Sequence, residues 1–107
     1  MLDLYARRRE TVMAAYEAGV AIYAGTDAGG VLPHGLIADE VAELASYGMP
    51  AEYVLGAASW RAREWLGWNA DLGEGAPADF VVLPRDPRGD LSALREPTAV
   101  VLRGQVV

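Results

Sequence analysis

The strongest candidate for chemistry in this sequence is a carboxylate, Asp27, that directly follows a short apolar run bounded by glycines. That run, residues 20–26, is typical of a strand buried on both faces of a parallel sheet. In α/β barrels and open parallel sheets the active site lies at the carboxyl ends of the strands. A carboxylate there holds a divalent metal or acts as a general base, whereas the alternative is an Asp that caps its own loop. Taken alone, these residues favour the capping role.

The second candidate is His34, which lies in the loop before the next helical segment. It is either a substrate contact or metal ligand at the mouth of a site, or a helix-entry residue bonded to solvent or backbone. The residue alone favours the second role. With one His and no Cys in the chain, a His-rich or thiolate zinc site is excluded for this chain alone. Ser59 has no partnering base, which argues against a Ser-His-Asp triad.

Two further groups of side chains have ordinary structural explanations. Arg61 and Arg63 are expected to form a solvated helix face. Trp60, Trp65 and Trp68 could line a pocket, but aromatic residues near a helix end more often pack in a core or between domains.

Composition limits the classes of protein that this chain can belong to. Its 107 residues, 52% hydrophobic and 22% charged, support one globular domain. Nine Lys and Arg against fifteen Asp and Glu give a net charge of −6. That charge disfavours a nucleic-acid partner and an anionic membrane surface. Neither a bilayer-spanning run nor a secretory signal is recognisable, so we expect a cytoplasmic protein.

Apolar spacing predicts helices in the first two thirds of the chain. The expected helices cover residues 3–18, a segment from about Ile37 that ends at Gly48, and residues 50–66. Gly19 and Gly67 are placed to end the first and last of them. A helix that runs directly into the buried strand at 20–26 is the second half of a βαβ unit, which predicts an α/β fold.

The last third of the chain is different and favours short strands. Strands are expected at 79–83, 98–102 and 105–107, with Arg103 and Gly104 as a two-residue hairpin turn. Three short strands need something to pack on. The change in pattern predicts two parts, residues 1–70 and residues 71–107.

The order of these motifs resembles the C-terminal part of the metal-dependent amidohydrolase superfamily, on its imidazolonepropionase-like and prolidase-like side. The resemblance covers residues 20–107. The segments that carry it are VAIYAGTDAGG, LPHGLIADEVAELASYGMP, VLGAASWRAREWLG, GEGAPADFVVL and DPRGDLSALREPTAVVLRGQVV. Each segment is weak evidence, but their order matches that of the family.

The resemblance implies a fold and an activity. The fold is α/β: residues 1–70 would be the C-terminal fragment of a (β/α)8 TIM barrel, and residues 71–107 would be strands of a composite β-sandwich domain. The activity is hydrolysis of amide or cyclic-amide C–N bonds by water activated on a divalent metal, with one or two Zn²⁺ expected. Asp27 would bind the metal and transfer the proton, and His34 would face a small-molecule or dipeptide-like substrate.

The sequence also departs from the family. Ser59 and Arg61 stand where Thr and Asn are common, and the family's His-x-His and other metal ligands are absent from this chain. The resemblance therefore implies a fragment that does not hold the metal alone and is inactive by itself. We expect it to be buried against the missing N-terminal part of the barrel, or to form a homo-oligomer. The alternatives are a non-catalytic partner-binding module and a deaminase on the same scaffold.

Overall fold

A computed structural model describes residues 2–26 and 35–107 of the chain. The helices are α1 (Leu2–Glu17), α2 (Ile37–Ser46), α3 (Ala51–Ala57) and α4 (Trp60–Trp65). The strands are β1 (Phe80–Val82), β2 (Ala99–Leu102) and β3 (Gln105–Val106), with a 3₁₀ helix (Leu91–Arg95) between β1 and β2. This mixture agrees with the predicted α/β class. The barrel and the division at residue 70 remain predictions.

Glycines end the helices where the sequence predicts. Gly19 and Gly67 have φ of +88° and +80°, a left-handed conformation that other residues adopt at a cost. After Gly19, the N–H of Val20 donates to the carbonyl of Ala15 at 2.9 Å. This is the six-residue closure typical of a glycine-capped helix.

The predicted helix 50–66 is two helices, and the break lies at Ser59. This residue has φ of −145° and ψ of −100°, far from helical values. Its hydroxyl donates to the carbonyl of Leu55 at 2.5 Å. Serine side chains compete with the helix for backbone groups in this way. The break changes the direction of the chain, so α4 folds back towards α3.

The core lies between α2 and α3. Its buried members are Val41, Leu44, Tyr47, Met49 and Val54. Half-buried side chains of α1 pack against it, namely Val12, Met13 and Tyr16. Helical spacing places Val41, Leu44 and Val54 on inward faces, and all three are buried. The same spacing places Ile37 and Trp65 inward, but these two are 43% and 68% exposed.

The sheet is antiparallel, in the order β1-β2-β3. Arg103 and Gly104 connect β2 to β3 with φ of +52° and +77°, as a type I′ turn requires. This confirms the predicted hairpin. The carboxylate of Asp79 accepts a hydrogen bond from the N–H of Arg103 at 2.8 Å, so the segment before β1 also holds the turn.

The 3₁₀ helix joins the sheet region to the helices. Its Ala93 is buried, and Arg95 at its end pairs with Asp39 on α2. The three short strands are thus linked to the helical region through the 3₁₀ helix, and an apolar groove lies between the sheet and the helices.

Candidate functional site

Asp27 and His34, the two predicted site residues, lie outside the described residues. Their predicted roles therefore remain predictions. The structure does describe the segment 20–26 that leads to Asp27, and it describes Gly35, which follows His34 and has φ of +90°. What holds the segment 20–26 determines how the chain reaches the candidate carboxylate.

The segment 20–26 is not the predicted strand, because the structure assigns it neither helix nor strand. Val20 is 53% exposed, and residues 22–24 are half-buried rather than covered on both faces. A strand needs a neighbouring strand to bond with. Among residues 2–26 and 35–107, every pair of neighbouring strands belongs to the C-terminal sheet.

Helices α3 and α4 bind the segment instead. The N–H of Ile22 donates to the hydroxyl of Tyr53 at 3.1 Å. The N–H of Ala24 donates to the carbonyl of Ala57 at 3.0 Å. The N–H groups of residues 22 and 24 therefore point to the same side, with the alternation that a strand shows. Their acceptors, however, are a side chain of α3 and the carbonyl at the end of α3.

Arg61 completes this attachment, which corrects the prediction that it lies on a solvated face. Its guanidinium Nη2 donates to the carbonyls of Ile22, at 3.2 Å, and Tyr53, at 2.9 Å. The guanidinium carbon lies 3.9 Å from the centre of the Tyr53 ring and 5.6 Å from that of Tyr23. Both distances are within the range of cation–π attraction.

A sequence signal for this role of Arg61 was available. Arg61 follows Val54 by seven residues and Ala58 by three, so it falls in the apolar stripe of the predicted helix. A charged residue in such a stripe is expected to have specific partners.

Arg63 also has defined partners rather than a solvated position. Its Nε donates to the carbonyl of Asn69 at 2.9 Å, and its Nη2 pairs with Asp79 at 3.2 Å. Arg63 therefore ties α4 to the segment before β1. A small cavity of ≈ 160 Å³ lies beside this pair, lined by Ser59 and Trp60 among others.

The three tryptophans are more exposed than the packing role predicts. Trp60, Trp65 and Trp68 are 40%, 68% and 58% exposed. Trp65 stacks on Tyr23 with ring centres 5.1 Å apart. The tryptophans are therefore not core residues of the described part, and Trp65 lies against the segment 20–26 through Tyr23.

An apolar groove lies between the helices and the sheet. It has a volume of ≈ 460 Å³, and its lining includes Val41, Leu55, Trp60, Val81 and Val100. Few polar atoms line it, so it offers shape and apolar contact but little means of orienting a polar substrate.

The charged groups of the described residues do not form a metal centre. Within residues 2–26 and 35–107 no three His, Asp or Glu side chains are grouped so that they could hold a metal. The fit of a metal therefore depends on residues outside the described ranges. No helix in the described part is long and apolar enough to cross a membrane.

The perturbed carboxylates lie elsewhere, in the loop after β1. Hydrogen bonds from Arg88 lower the pKa of Asp86 from 3.8 to about 2. Hydrogen bonds from Ser92 lower the pKa of Asp90, which also pairs with Arg85. Bonds within one loop explain these shifts, so they give no indication of a catalytic site.

We next compared the chain with known proteins to find which of them it is similar to. No family profile matches the chain. Uncharacterized proteins from Mycobacterium bovis and Mycobacterium tuberculosis are 52% identical to it over 105 residues, which is 98% of the chain and 28% of each relative.

Two solved structures are similar in fold. One is a candidate prolidase from Bifidobacterium longum, with a TM-score of 0.77, 36% identity and coverage of 88% of this chain and 24% of that one. The other is a Xaa-Pro dipeptidase with methionine bound in its active site, with a TM-score of 0.82, 30% identity and coverage of 92% of this chain and 25% of that one. This chain therefore spans about a quarter of the length of the proteins it matches, and its relationship is prolidase-like.

Proposed function

We propose that this chain is part of a metal-dependent hydrolase that cleaves amide C–N bonds, with dipeptides of the Xaa-Pro kind as its substrate class. The observation that carries the proposal is the likeness to a Xaa-Pro dipeptidase over 92% of the chain at 30% identity. The order of the sequence motifs supports it independently, since it favours the same group of enzymes.

In this proposal Asp27 provides the carboxylate that binds the metal and accepts a proton, and His34 faces the substrate. A metal bound there, with zinc as the proposed ion, would supply a water molecule of lowered pKa. About three protein ligands are usual for a catalytic zinc. The other ligands would come from polypeptide beyond this chain, and the active protein would be cytoplasmic.

The decisive experiment uses the longest reading frame that contains this chain. Its product is purified as wild type and as Asp27→Asn, and turnover of Xaa-Pro dipeptides is measured together with bound metal by mass spectrometry. Wild type is expected to hydrolyse the dipeptides, and Asp27→Asn to lose turnover by a factor of about 10² or more, because a proton acceptor and a ligand are removed together.

A matched control is Asp71→Asn, which makes the same change at an exposed carboxylate after α4. It is expected to retain wild-type turnover and metal. Unchanged turnover in Asp27→Asn would contradict the role of that residue. A reading frame that encodes no further histidines and turns over no dipeptide would contradict the hydrolase itself.

A second candidate function, a non-catalytic module that binds a partner, is favoured by the exposed apolar surface. Its exposed side chains include Trp65, Leu72 and Val106. Exposed apolar side chains mark interaction sites where they form a contiguous patch. The same experiment separates the two functions, since a binding module has no turnover to lose.

A further inference from the structure

We propose that Arg61 is a positioning residue: it fixes the backbone of the segment 20–26, and through that segment the place at which the chain enters Asp27. This inference rests on the proposed function, because it concerns the residue to which that function assigns the chemistry. Arg61 itself is not proposed to touch substrate or metal.

Both backbone groups of Ile22 are bound by side chains. Its N–H donates to the Tyr53 hydroxyl at 3.1 Å, and its carbonyl accepts from Arg61 at 3.2 Å. In a sheet both groups would face neighbouring strands. Here the side chains of Tyr53 and Arg61 replace them, and Ile22 lies only five residues before Asp27.

Arg61 and Tyr53 act as a unit. The guanidinium lies over the ring of Tyr53 with 3.9 Å to its centre and also bonds the carbonyl of the same residue at 2.9 Å. A planar, delocalised cation can stack and donate at the same time, which the ammonium group of a lysine does less well. An apolar side chain would cover the ring but leave the carbonyl of Ile22 without its donor.

The local chain path is adapted to this contact. The break at Ser59 turns α4 back, and Gly56 then lies directly beneath Arg61 and Trp60. A Cβ at position 56 would lie 3.0 Å from Nε of Arg61 and 3.0 Å from the Trp60 ring. Nε is buried and has no hydrogen-bond partner among the described residues. A buried polar atom without a hydrogen-bond partner is costly, so the other contacts of this half-buried side chain must favour its position.

The first test measures the attachment without any activity. Amide hydrogen exchange is followed in the 107-residue chain as wild type, Arg61→Met, Arg61→Lys and Tyr53→Phe. Arg61→Met is expected to speed exchange at Ile22 and Ala24 by roughly tenfold or more, because a local opening becomes easier, while Leu44 in the core changes little. Arg61→Lys is expected to give exchange rates between those of wild type and Arg61→Met.

The matched control is Arg63→Met, because this neighbour on α4 contacts Asn69 and Asp79 instead of the segment 20–26. It is expected to leave exchange at Ala24 unchanged. Exchange that is unchanged in Arg61→Met would overturn the proposal. So would an equal rise at Ala24 and Leu44, since that would show general loss of stability.

The second test uses the longer reading frame and separates kcat from KM. Arg61→Met is expected to lower kcat by roughly tenfold or more with little change in KM, because a small displacement of a reacting group is costly. Arg61→Lys is expected to restore part of kcat, and Arg63→Met to behave as wild type. An unchanged kcat in Arg61→Met would overturn the positioning role even if exchange increases. Absence of turnover in the wild-type polypeptide would contradict the proposed hydrolase, and with it the proposed positioning of Asp27. The exchange experiment would still show whether Arg61 holds the segment 20–26 in place.

Discussion

Arg61 and Arg63 lie two positions apart on one short helix, yet they do different things. Arg61 binds backbone carbonyls and an aromatic ring in a half-buried place. Arg63 forms an ion pair with Asp79, whose side chain is 18% exposed. The difference arises from the surface that each side of α4 meets, and neither residue type alone reveals it.

Asp86 allows the electrostatics of this chain to be tested at a single residue. Hydrogen bonds from Arg88 hold its pKa at about 2, below the ordinary 3.8. Because the folded-state pKa is lowered, the stabilisation is present above pH 3.8 and is lost as the pH falls through about 2. A carboxyl titration followed by NMR is expected to show a midpoint near 2 in wild type and an ordinary midpoint in Arg88→Gln.

The stability effect of this pair is expected to be small, since both side chains are exposed. Urea unfolding of wild type and Asp86→Asn is expected to differ more at pH 5 than at pH 2, where the carboxyl is partly protonated. A wild-type midpoint at the ordinary value would contradict the pairing of Asp86 with Arg88.

At the scale of the elements, the sequence predicts features that depend on local residue types and spacing. The positive φ of Gly19, the hairpin turn at Arg103 and Gly104, and the apolar stripe of α2 are all recognisable in the sequence and are present in the structure. For the glycine and the turn the relevant contacts lie within a few residues along the chain, and for α2 the helical period alone indicates which face is buried.

The predictions that the structure corrects concern contacts between distant parts of the chain. An apolar run such as 20–26 forms a strand only if another strand lies beside it, and no local pattern shows what that neighbour is. Likewise, the break at Ser59 turns α4 back and places Arg61 against Tyr53, and no pattern of neighbouring residues predicts that contact. The sequence thus suggests candidate site residues by their type, but it does not predict how the segment 20–26 is attached to α3 and α4.

Gly56 tests the packing that this break creates. Gly56→Ala removes a residue that weakens helices, which alone would stabilise α3 by about 1 kcal/mol. The added Cβ would lie 3.0 Å from both Arg61 Nε and the Trp60 ring. We expect the contact to dominate, with a net loss of about 1–3 kcal/mol in the free energy of unfolding, measured by urea denaturation.

Gly25→Ala is the control for that measurement. Among the described residues, a Cβ at Gly25 meets nothing within 4 Å, so the effect of the substitution is expected to stay within about 0.5 kcal/mol. A Gly56→Ala variant more stable than wild type would show that Arg61 and Trp60 move aside freely, and would contradict the close packing of α4 on α3.

The whole molecule exposes more surface than a chain of its mass usually does. Its accessible surface is 7556 Å², whereas a monomer of 11.4 kDa is expected to expose about 5,800 Å². Its radius of gyration is 15.0 Å, against about 13 Å for a compact domain of this size. Much of the excess is apolar, with Val106 at 74% and Val107 at 77% exposure.

The sheet shows where this surface is concentrated. Val81 and Val100 are cross-strand partners that line the groove against the helices. Because side chains alternate along a strand, Phe80, Val82 and Val106 belong to the opposite face. Each of these three residues is at least 39% exposed. A sheet with two apolar faces is stable only when both are covered.

We therefore expect the 107-residue chain to associate with itself through the face that carries Phe80, Val82 and Val106, at micromolar concentration in sedimentation velocity. A double variant, Val82→Thr with Val106→Lys, is expected to shift the distribution towards monomer, because it replaces apolar contact by polar and charged groups. Leu4→Thr changes an equally exposed apolar residue on α1 and should leave association unchanged. A wild-type chain that sediments as a monomer would contradict this prediction, because it would show that the face is stable in contact with water. The exposed apolar side chains would then no longer argue for a partner, whether a second copy or the rest of the polypeptide.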